Sequence, residues 1–246
     1  MTRLSFGSLA APVDLSCRST QSERLDSPDI APSELESVLQ DLGRLNGMMF
    51  GRTPILSWVR RAIASQPAGK AMHVVDVGCG YGDLLRAVRR WSRKRGVDVA
   101  LHGIDLNPET VRIARAATRP EDGINYHIAD VFAYRPESPV DLIVSSLFAH
   151  HLSDDALIRF LRWMEANARR GWLICDLQRH VVPYAVIGPL GKLSRVHPIV
   201  VSDGRISIAR SLTRPEWRQR LREAGISQQA VTIRWFLFRH VIGRLR

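Results

Sequence analysis

A glycine-rich turn after an apolar run is the first place in this chain where residue types and spacing suggest chemistry. The stretch "VVDVGCGYGDLL", residues 74–85, is β-branched up to Asp76 and then places Gly78, Gly80 and Gly82 at alternate positions. Glycine allows a sharp turn and lets the backbone touch a ligand with no Cβ between them. In open α/β sheets such turns lie at the carboxyl ends of the strands, where ligands bind. The stretch therefore predicts a small-molecule binding site.

The spacing of the glycines argues against a dinucleotide as that small molecule. The dinucleotide fingerprint has its third glycine one position after Gly82. Asp83 stands there instead, at the predicted start of a helix, where it would repel a pyrophosphate. Two more acids end the next two predicted strands: Asp105 suits the two hydroxyls of a ribose, and Asp130 suits the exocyclic amine of an adenine. Each acid alone also fits a strand end or helix cap, but their succession predicts a nucleoside that is not strongly anionic.

A pair of histidines follows the fourth predicted strand, in "FAHHLSD". Because imidazole titrates near neutral pH, His150 and His151 are the candidate general bases, with a structural role at the strand end as the alternative. No third ligand stands at a recognisable spacing, so the sequence predicts no metal site. Further polar candidates lie downstream, at His180, Tyr184, His197 and Arg210.

The elements that must position these residues alternate between strands and helices. This alternation predicts an α/β protein with a Rossmann-like, doubly wound, mostly parallel sheet. An N-terminal helical cap precedes it, with Ser33 as N-cap and Glu36 completing a capping box. Residues 1–32 are predicted to be a disordered tail and residues 33–246 one domain. Within it, residues 178–212 are rich in Pro and Gly and predict an irregular lid insertion.

Composition excludes some classes of protein. No window approaches the ~18 apolar residues of a membrane span, and the N-terminus does not resemble a secretory signal. The three cysteines are far apart, so neither a disulfide framework nor a zinc site is indicated, and a cytoplasmic protein is expected. The net charge of +11 and ten arginines from Arg205 onward leave a nucleic-acid partner open, but a solvated basic surface is favoured. The sequence leaves the oligomeric state open.

The motifs also resemble a known family. "VVDVGCGYG", "LHGIDLNPE", "IADVFA" and "VDLIVSSLFAHHLSD", in this order, are similar to the motifs of class I S-adenosylmethionine-dependent methyltransferases. The resemblance covers about residues 35 to 246 and is greatest to small-molecule enzymes, including ubiquinone-type and polyketide-tailoring O-methyltransferases. It implies a seven-stranded sheet, S-adenosylmethionine as cofactor, and O-methylation in secondary metabolism.

The resemblance also implies roles for individual residues. The glycine-rich turn would surround the methionine part of the cofactor, Asp105 would bind the ribose, and Arg52 would neutralise the cofactor carboxylate, with a plain surface role for Arg52 as the alternative. The implied cofactor-binding residues are Asp76, Gly78, Cys79, Gly80, Gly82, Asp105, Leu106, Asp130, Val131 and Arg52.

Several branches of the family are disfavoured by what the chain lacks. Amino-methylating DNA enzymes carry an Asn/Asp-Pro-Pro-aromatic stretch after the fourth strand, where this chain has "SSLF". Cys175 lies inside an apolar strand instead of beside a proline, unlike a cytosine-C5 nucleophile. The predicted reaction is methyl transfer to a small phenolic, quinone or polyketide-type hydroxyl. The alternative is an RNA-directed methyltransferase or nucleic-acid binder that uses the arginine-rich C-terminal third.

Overall fold

The computed structural model describes residues 14–64 and 71–246, which build one seven-stranded sheet flanked by helices. The strands are β1 (Met72–Val77), β2 (Val99–Asp105), β3 (Ile124–Ile128), β4 (Leu142–Ser146), β5 (Gly171–Leu177), β6 (Thr232–Phe236) and β7 (Arg239–Leu245). The helices are α1 (Pro32–Met48), α2 (Thr53–Ala64), α3 (Asp83–Arg95), α4 (Pro108–Ala116), α5 (Asp154–Asn167), α6 (Val181–Ser194), α7 (Pro198–Arg210) and α8 (Arg214–Glu223).

The strand order is β3-β2-β1-β4-β5-β7-β6. Strand β7 runs antiparallel to both of its neighbours, β5 and β6, and the other paired strands are parallel. The order reverses between β1 and β4, so a crevice opens at the carboxyl ends of these two strands. Alternate residues of β1 face two cores: Val75 packs with Phe160 and Trp217 on one side, and Val74 packs with Leu85 on the other. Burial on both faces explains why the central strands are almost continuously apolar. The predicted doubly wound sheet is confirmed.

Helix caps agree with the sequence in some places and not in others. Asn107 and Ser153 accept backbone N–H bonds at the starts of α4 and α5, and Thr213 forms its capping box with Glu216. The capping box predicted at Ser33 is wrong, because α1 begins at Pro32 and its N-cap, Ala31, makes no side-chain bond. Proline is pre-organised for the first helical position, so the helix starts two residues earlier than predicted.

The lid segment is helical, and the prediction of an irregular insertion over residues 178–212 is wrong in this respect. It forms α6 and α7, which pack against each other, with Gly188 and Gly191 inside α6 and Gly204 inside α7. A Cβ on Gly191 would collide with Val201 of α7, and one on Gly188 would meet the Arg205 guanidinium at 2.8 Å. These glycines allow close packing of two helices. The positions of glycines in the sequence do not distinguish this role from that of glycines in a loop.

The N-terminal segment differs from the predicted tail wherever the structure describes it. Residues 1–13 lie outside the described residues, but residues 14–31 run across the lid. The Ser19 amide donates to the Ala209 carbonyl at 3.0 Å, Arg18 donates to the carbonyls of His150 and Leu152, and Glu23 is buried. The segment is held by polar contacts without a periodic apolar stripe, so its pattern resembles that of a tail.

Within the described ranges, no helix combines the length and the apolar character that crossing a bilayer requires.

Candidate functional site

The glycine-rich turn joins β1 to α3 at the crevice, and its three glycines serve two purposes. Gly78, Gly80 and Gly82 have φ of +69°, +49° and +73°, in the left-handed region that side chains disfavour. A Cβ on Gly78 would lie 2.6 Å from Phe148, and one on Gly82 would collide with the Tyr126 hydroxyl. A Cβ on Gly80 would meet no atom within 4 Å, and Gly80 lines a cavity. Two glycines thus allow close packing, whereas Gly80 leaves room for a ligand.

Two acids lie directly beside this turn. Asp105 ends β2, and its carboxylate accepts the Gly80 amide at 3.1 Å and the Asn107 amide at 3.0 Å. Asp76 is only 2% exposed, and its Oδ1 has no hydrogen-bond partner among the described residues. Burial raises the pKa of both carboxyl groups, and the nearby charges of Asp83 and Asp105 raise that of Asp76 further. Two buried carboxylates, one of which has an oxygen without a partner, fit a ligand that brings a positive charge and hydrogen-bond donors.

Arg52 lies opposite the turn, just before α2, and lines the same cavity. Its Nη1 forms an ion pair with the Asp83 carboxylate at 2.7 Å. Asp83 is the first residue of α3, where the helix dipole also favours its charge. Arg52 therefore lies at the turn, and its partner is Asp83, the acid at the position of the third glycine of a dinucleotide motif. Its role toward a cofactor carboxylate stays a prediction.

The remaining residues predicted to bind the cofactor line the cavity as well. Leu106 is 71% exposed and faces open space, as expected of a side chain that a flat ring would cover. Asp130 accepts the Phe132 amide at 2.9 Å, and Val131 is buried below it. Cys79 is buried, and burial raises the pKa of its thiol, so it is inert as a nucleophile. Residues that the sequence placed at three successive strand ends therefore meet around one cavity.

The cavity has a volume of about 1020 Å³ and extends well beyond the turn and its acids. Its far part lies under α1, α6 and α7, which close it with apolar side chains. They include Leu42, Leu45, Ile187, Leu190, Val200 and Ile208. Both predicted histidines also line the cavity.

His150 is buried, and carboxylates face both of its ring nitrogens. Its Nδ1 lies 2.7 Å from Asp176 Oδ1, and its Nε2 lies 3.5 Å from Glu23 Oε1. Burial lowers the pKa of His150, but the two carboxylates outweigh it and raise the pKa to about 9. Its backbone amide also donates to Asp176. These contacts are the ones expected if His150 has a structural role at the strand end, which is the alternative to its acting as a general base.

His151 is more accessible, with 27% of its side chain exposed. Its Nδ1 lies 3.1 Å from Asp26 Oδ2, and its Nε2 lies 3.7 Å from Glu23 Oε2. Arg210 completes the cluster, with its Nη1 3.2 Å from Asp26 and its Nη2 donating to the His151 carbonyl. We call Glu23, Asp26, His150, His151, Asp176 and Arg210 the histidine cluster.

The other polar candidates of the lid do not line the cavity. His180 and His197 are the N-caps of α6 and α7, where their Nδ1 atoms accept backbone amides. The guanidinium of Arg205 covers the Tyr184 ring. These side chains stabilise the lid without reaching its inner face.

Three acids and one arginine of the site were not proposed as site residues from the sequence. Glu23 and Asp26 lie in the predicted tail, and Asp176 lies inside an apolar strand, so no local pattern marks them. Arg239 begins β7 and lines the apolar part of the cavity. It is 6% exposed, its Nη2 donates to Asn46 at 3.0 Å, and its Nη1 has no hydrogen-bond partner in the described chain.

The strand order, the turn with its three left-handed glycines and the acids at the next strand ends are those of the class I S-adenosylmethionine-dependent methyltransferase fold. Residues 74–171 match the family model described as methyltransferase domain. Trans-aconitate 2-methyltransferase from Azoarcus sp. (strain BH72) is 37% identical over 109 residues, which cover 42% of this chain and 40% of that protein. The chain thus spans about two fifths of the length of the curated relatives it matches.

Solved structures agree on the fold. A putative O-methyltransferase from Nostoc punctiforme PCC 73102 is similar with a TM-score of 0.63 at 15% identity, over 94% of this chain and 64% of that one. The plantazolicin methyltransferase BpumL, solved with SAH and a monoazolic desmethylPZN analog, has a TM-score of 0.60 at 15% identity, over 87% of this chain and 98% of that one. These likenesses, together with the family match, confirm the predicted fold class and family resemblance.

Replacing Gly80 with alanine is expected to weaken S-adenosylmethionine binding at least about tenfold, because the added methyl group enters ligand space. Gly96, which caps α3, has a similar φ of +63° and equally open surroundings, so G96A is the matched control. Both variants should lose a similar stability of about 1–2 kcal/mol from left-handed strain. Titration calorimetry and thermal unfolding measure the two effects. Equal affinities of G80A and G96A would show that Gly80 does not face the ligand.

Proposed function

We propose that the chain transfers the methyl group of S-adenosylmethionine to a hydroxyl of a small, mainly apolar acceptor of the phenolic, quinone or polyketide type. The observation that carries this proposal is the continuity of the cavity. An acid-lined part beside the glycine-rich turn opens into an apolar chamber under α1, α6 and α7. Such a chamber favours an aromatic or acyl-chain acceptor over a highly charged one.

The cofactor, when bound, supplies an activated methyl group on a sulfonium, and the protein has to align and shield it. Asp105 accepts from the ribose hydroxyls, while the unpaired Asp76 carboxylate attracts the positive charge of the methionine part. The lid helices and residues 14–31 keep water from the acceptor. Alignment and exclusion of water are the main contributions expected for an in-line displacement.

The proton of the acceptor hydroxyl must leave as the new bond forms, and the histidine cluster is where the cavity offers acceptors for it. His151 is the better candidate for the base by geometry, because it is exposed to the cavity while His150 is enclosed between Asp176 and Glu23. Asp26 would hold the His151 ring in place through Nδ1. A general base typically contributes about 10²–10⁴-fold to the rate.

The test is transfer of a labelled methyl group by the full chain. The protein is incubated with methyl-labelled S-adenosylmethionine and acceptors of each class: an alkylphenol, a hydroquinone, an acyl-chain polyketide mimic, trans-aconitate and RNA. Label in the apolar hydroxyl compounds, absent with the D105A variant, supports the proposal. Label only in trans-aconitate or RNA contradicts it.

The buried arginine of the chamber sets a more specific expectation. Because Arg239 lines the cavity and its Nη1 has no hydrogen-bond partner among the described residues, its guanidinium suits a carbonyl or anionic oxygen of the acceptor, groups that quinones and polyketides carry. R239Q is expected to raise KM for the accepted substrate about 10- to 100-fold with little change in kcat, since a hydrogen bond to a charged group is worth about 1.5–3 kcal/mol. Steady-state kinetics measures both parameters, and an unchanged KM would remove this contact.

The RNA-directed alternative gains no specific support from the site. Several of the C-terminal arginines are engaged within the chain: Arg210 with Asp26, Arg220 with Glu223, and Arg244 and Arg246 with Glu165. Electrostatic binding of RNA would weaken steeply between low and moderate salt. Filter binding at 50 and 200 mM salt distinguishes the two functions, because a small-molecule enzyme should show no salt-sensitive RNA affinity.

A further inference from the structure

The distances from Glu23 to the two histidines of the cluster are unusual for hydrogen bonds. His150 Nε2 and His151 Nε2 lie 3.5 and 3.7 Å from the two oxygens of Glu23, which is too long for a good hydrogen bond. Two ligands of one tetrahedral ion are about 3.4 Å apart when each bond is about 2.1 Å long. One donor atom from each of the three residues lies within 4.8 Å of the others. The three side chains are therefore spaced like ligands around a shared centre.

The other atoms of these side chains are held as in a metal site. His150 and His151 each direct Nδ1 to a carboxylate, of Asp176 and Asp26 respectively, which leaves both Nε2 atoms facing Glu23. The Ser207 hydroxyl donates to Glu23 Oε1 at 2.8 Å. Metal-ligating histidines nearly always direct the other ring nitrogen to such a partner, which orients the ring and sets the tautomer.

The net charge of the histidine cluster fits either a bound divalent cation or protonation of both imidazoles. With both imidazoles neutral, the carboxylates of Glu23, Asp26 and Asp176 and the guanidinium of Arg210 leave two net negative charges. A divalent ion compensates them, and so would one proton on each imidazole. Asp203, which lies near Glu23 and Asp26, accepts the Leu25 amide. The alternative to a metal site is therefore a metal-free cluster of ion pairs in which both imidazoles are protonated.

We propose that Glu23, His150 and His151 bind a divalent transition-metal ion, with Zn²⁺ as the ion that two imidazoles and one carboxylate fit best. The spacing of the three donors and the carboxylate behind each imidazole carry this assignment. The site takes its carboxylate ligand from the N-terminal segment, so an ion would also fasten that segment across the cavity.

All three ligands line the cavity, so an ion there is within reach of a bound acceptor. Coordinated to the ion, an acceptor hydroxyl would lose its proton more readily; the proton would pass to the Asp26 carboxylate, which lines the same cavity, and His151 would act as a ligand instead of a base. This catalytic part rests on the proposed methyl transfer, whereas metal binding itself does not.

The test is Zn²⁺ binding to the full chain after treatment with a chelator, measured by titration calorimetry. We expect one ion per chain, and Co²⁺ in its place should give the visible absorption of a tetrahedral site. E23Q and H151A should weaken binding at least about 100-fold, and D26N, which removes the carboxylate behind His151 and not a ligand, about 10- to 100-fold. His150 is not replaced, because it is buried and its loss could unfold the chain.

The matched control is the chain's other imidazole pair, His102 and His127, whose ring nitrogens lie 3.1 Å apart. H102A and H127A should bind Zn²⁺ like the unaltered protein, and circular dichroism of the metal-free variants checks that all are folded. Absence of Zn²⁺ binding overturns the inference. So does binding that survives in E23Q and H151A, or that is lost in H102A. Zn²⁺ binding through Glu23 and His151 in a protein without methyl transfer would support the metal site and contradict the proposed function.

Discussion

Replacing Asp105 with alanine is expected to weaken S-adenosylmethionine binding at least about 100-fold. The Asp105 carboxylate already accepts the Gly80 and Asn107 amides, which keeps it in place at the end of β2. A carboxylate has about four acceptor positions, so two remain for a ribose diol. A hydrogen bond to a charged group contributes about 1.5–3 kcal/mol, and two of them account for the expected loss. Titration calorimetry with S-adenosylmethionine measures it directly.

The pH dependence of binding sharpens this prediction. Burial raises the pKa of Asp105 above its usual range. Protonation replaces an acceptor with a donor, so affinity should be full above this raised pKa and decrease as the pH falls through it. In D105N the contribution of residue 105 to this decrease should be absent.

D122A is the matched control for D105A. Asp122 is also a buried acid, but it pairs with Arg93 and does not line the cavity. Its replacement should lower stability and leave the affinity for S-adenosylmethionine unchanged. An affinity in D105A equal to that of D122A would contradict the assignment of the ribose to Asp105.

Replacing Asp76 with asparagine is expected to change stability and binding in opposite directions. Asp76 Oδ1 is buried without a partner, and burial together with Asp83 and Asp105 raises the pKa of this carboxyl group well above its usual value. The charged form therefore destabilises the ligand-free fold. D76N should raise the free energy of unfolding by about 0.5–2 kcal/mol and should weaken S-adenosylmethionine binding, as is common when an unfavourable group is kept for function.

The sign of the pH effect follows from the direction of the pKa shift. A carboxyl group whose pKa is raised by folding destabilises the folded state increasingly as the pH rises from its unfolded pKa toward the folded one. The stabilisation by D76N should accordingly be small in acid and grow toward neutral pH. Thermal unfolding with and without S-adenosylmethionine measures both effects.

D122N is the control for D76N, because Asp122 is equally enclosed but has the Arg93 guanidinium as partner. It should lose stability where D76N gains it, since its replacement leaves a charge unpaired. A D76N protein that is less stable without ligand, or that binds S-adenosylmethionine as well as the unaltered chain, would contradict the assignment of Asp76.

Much of the fold, and the convergence of most predicted cofactor-binding residues on one cavity, could be predicted from local sequence. The alternation of apolar strands with capped helices leads to a parallel sheet, and Asn107, Ser153 and Thr213 cap their helices as their positions indicate. In a parallel sheet the residues that follow each strand come together at one edge, so a short stretch of chain positions each of them. For this reason the glycine-rich turn, Asp105 and Asp130 could be assigned to one site from their positions alone.

The acceptor side depended on contacts between distant parts of the chain. Glu23 meets His150 across 126 intervening positions, and no spacing rule joins a residue in an apparent tail to a strand end. The glycines of α6 led to the prediction of a loop, because what requires them is the close approach of another helix, α7. Local pattern therefore predicts which backbone turns and strand ends hold a ligand. Only packing across the whole chain brings together the carboxylates, imidazoles and apolar helices that line the rest of the cavity.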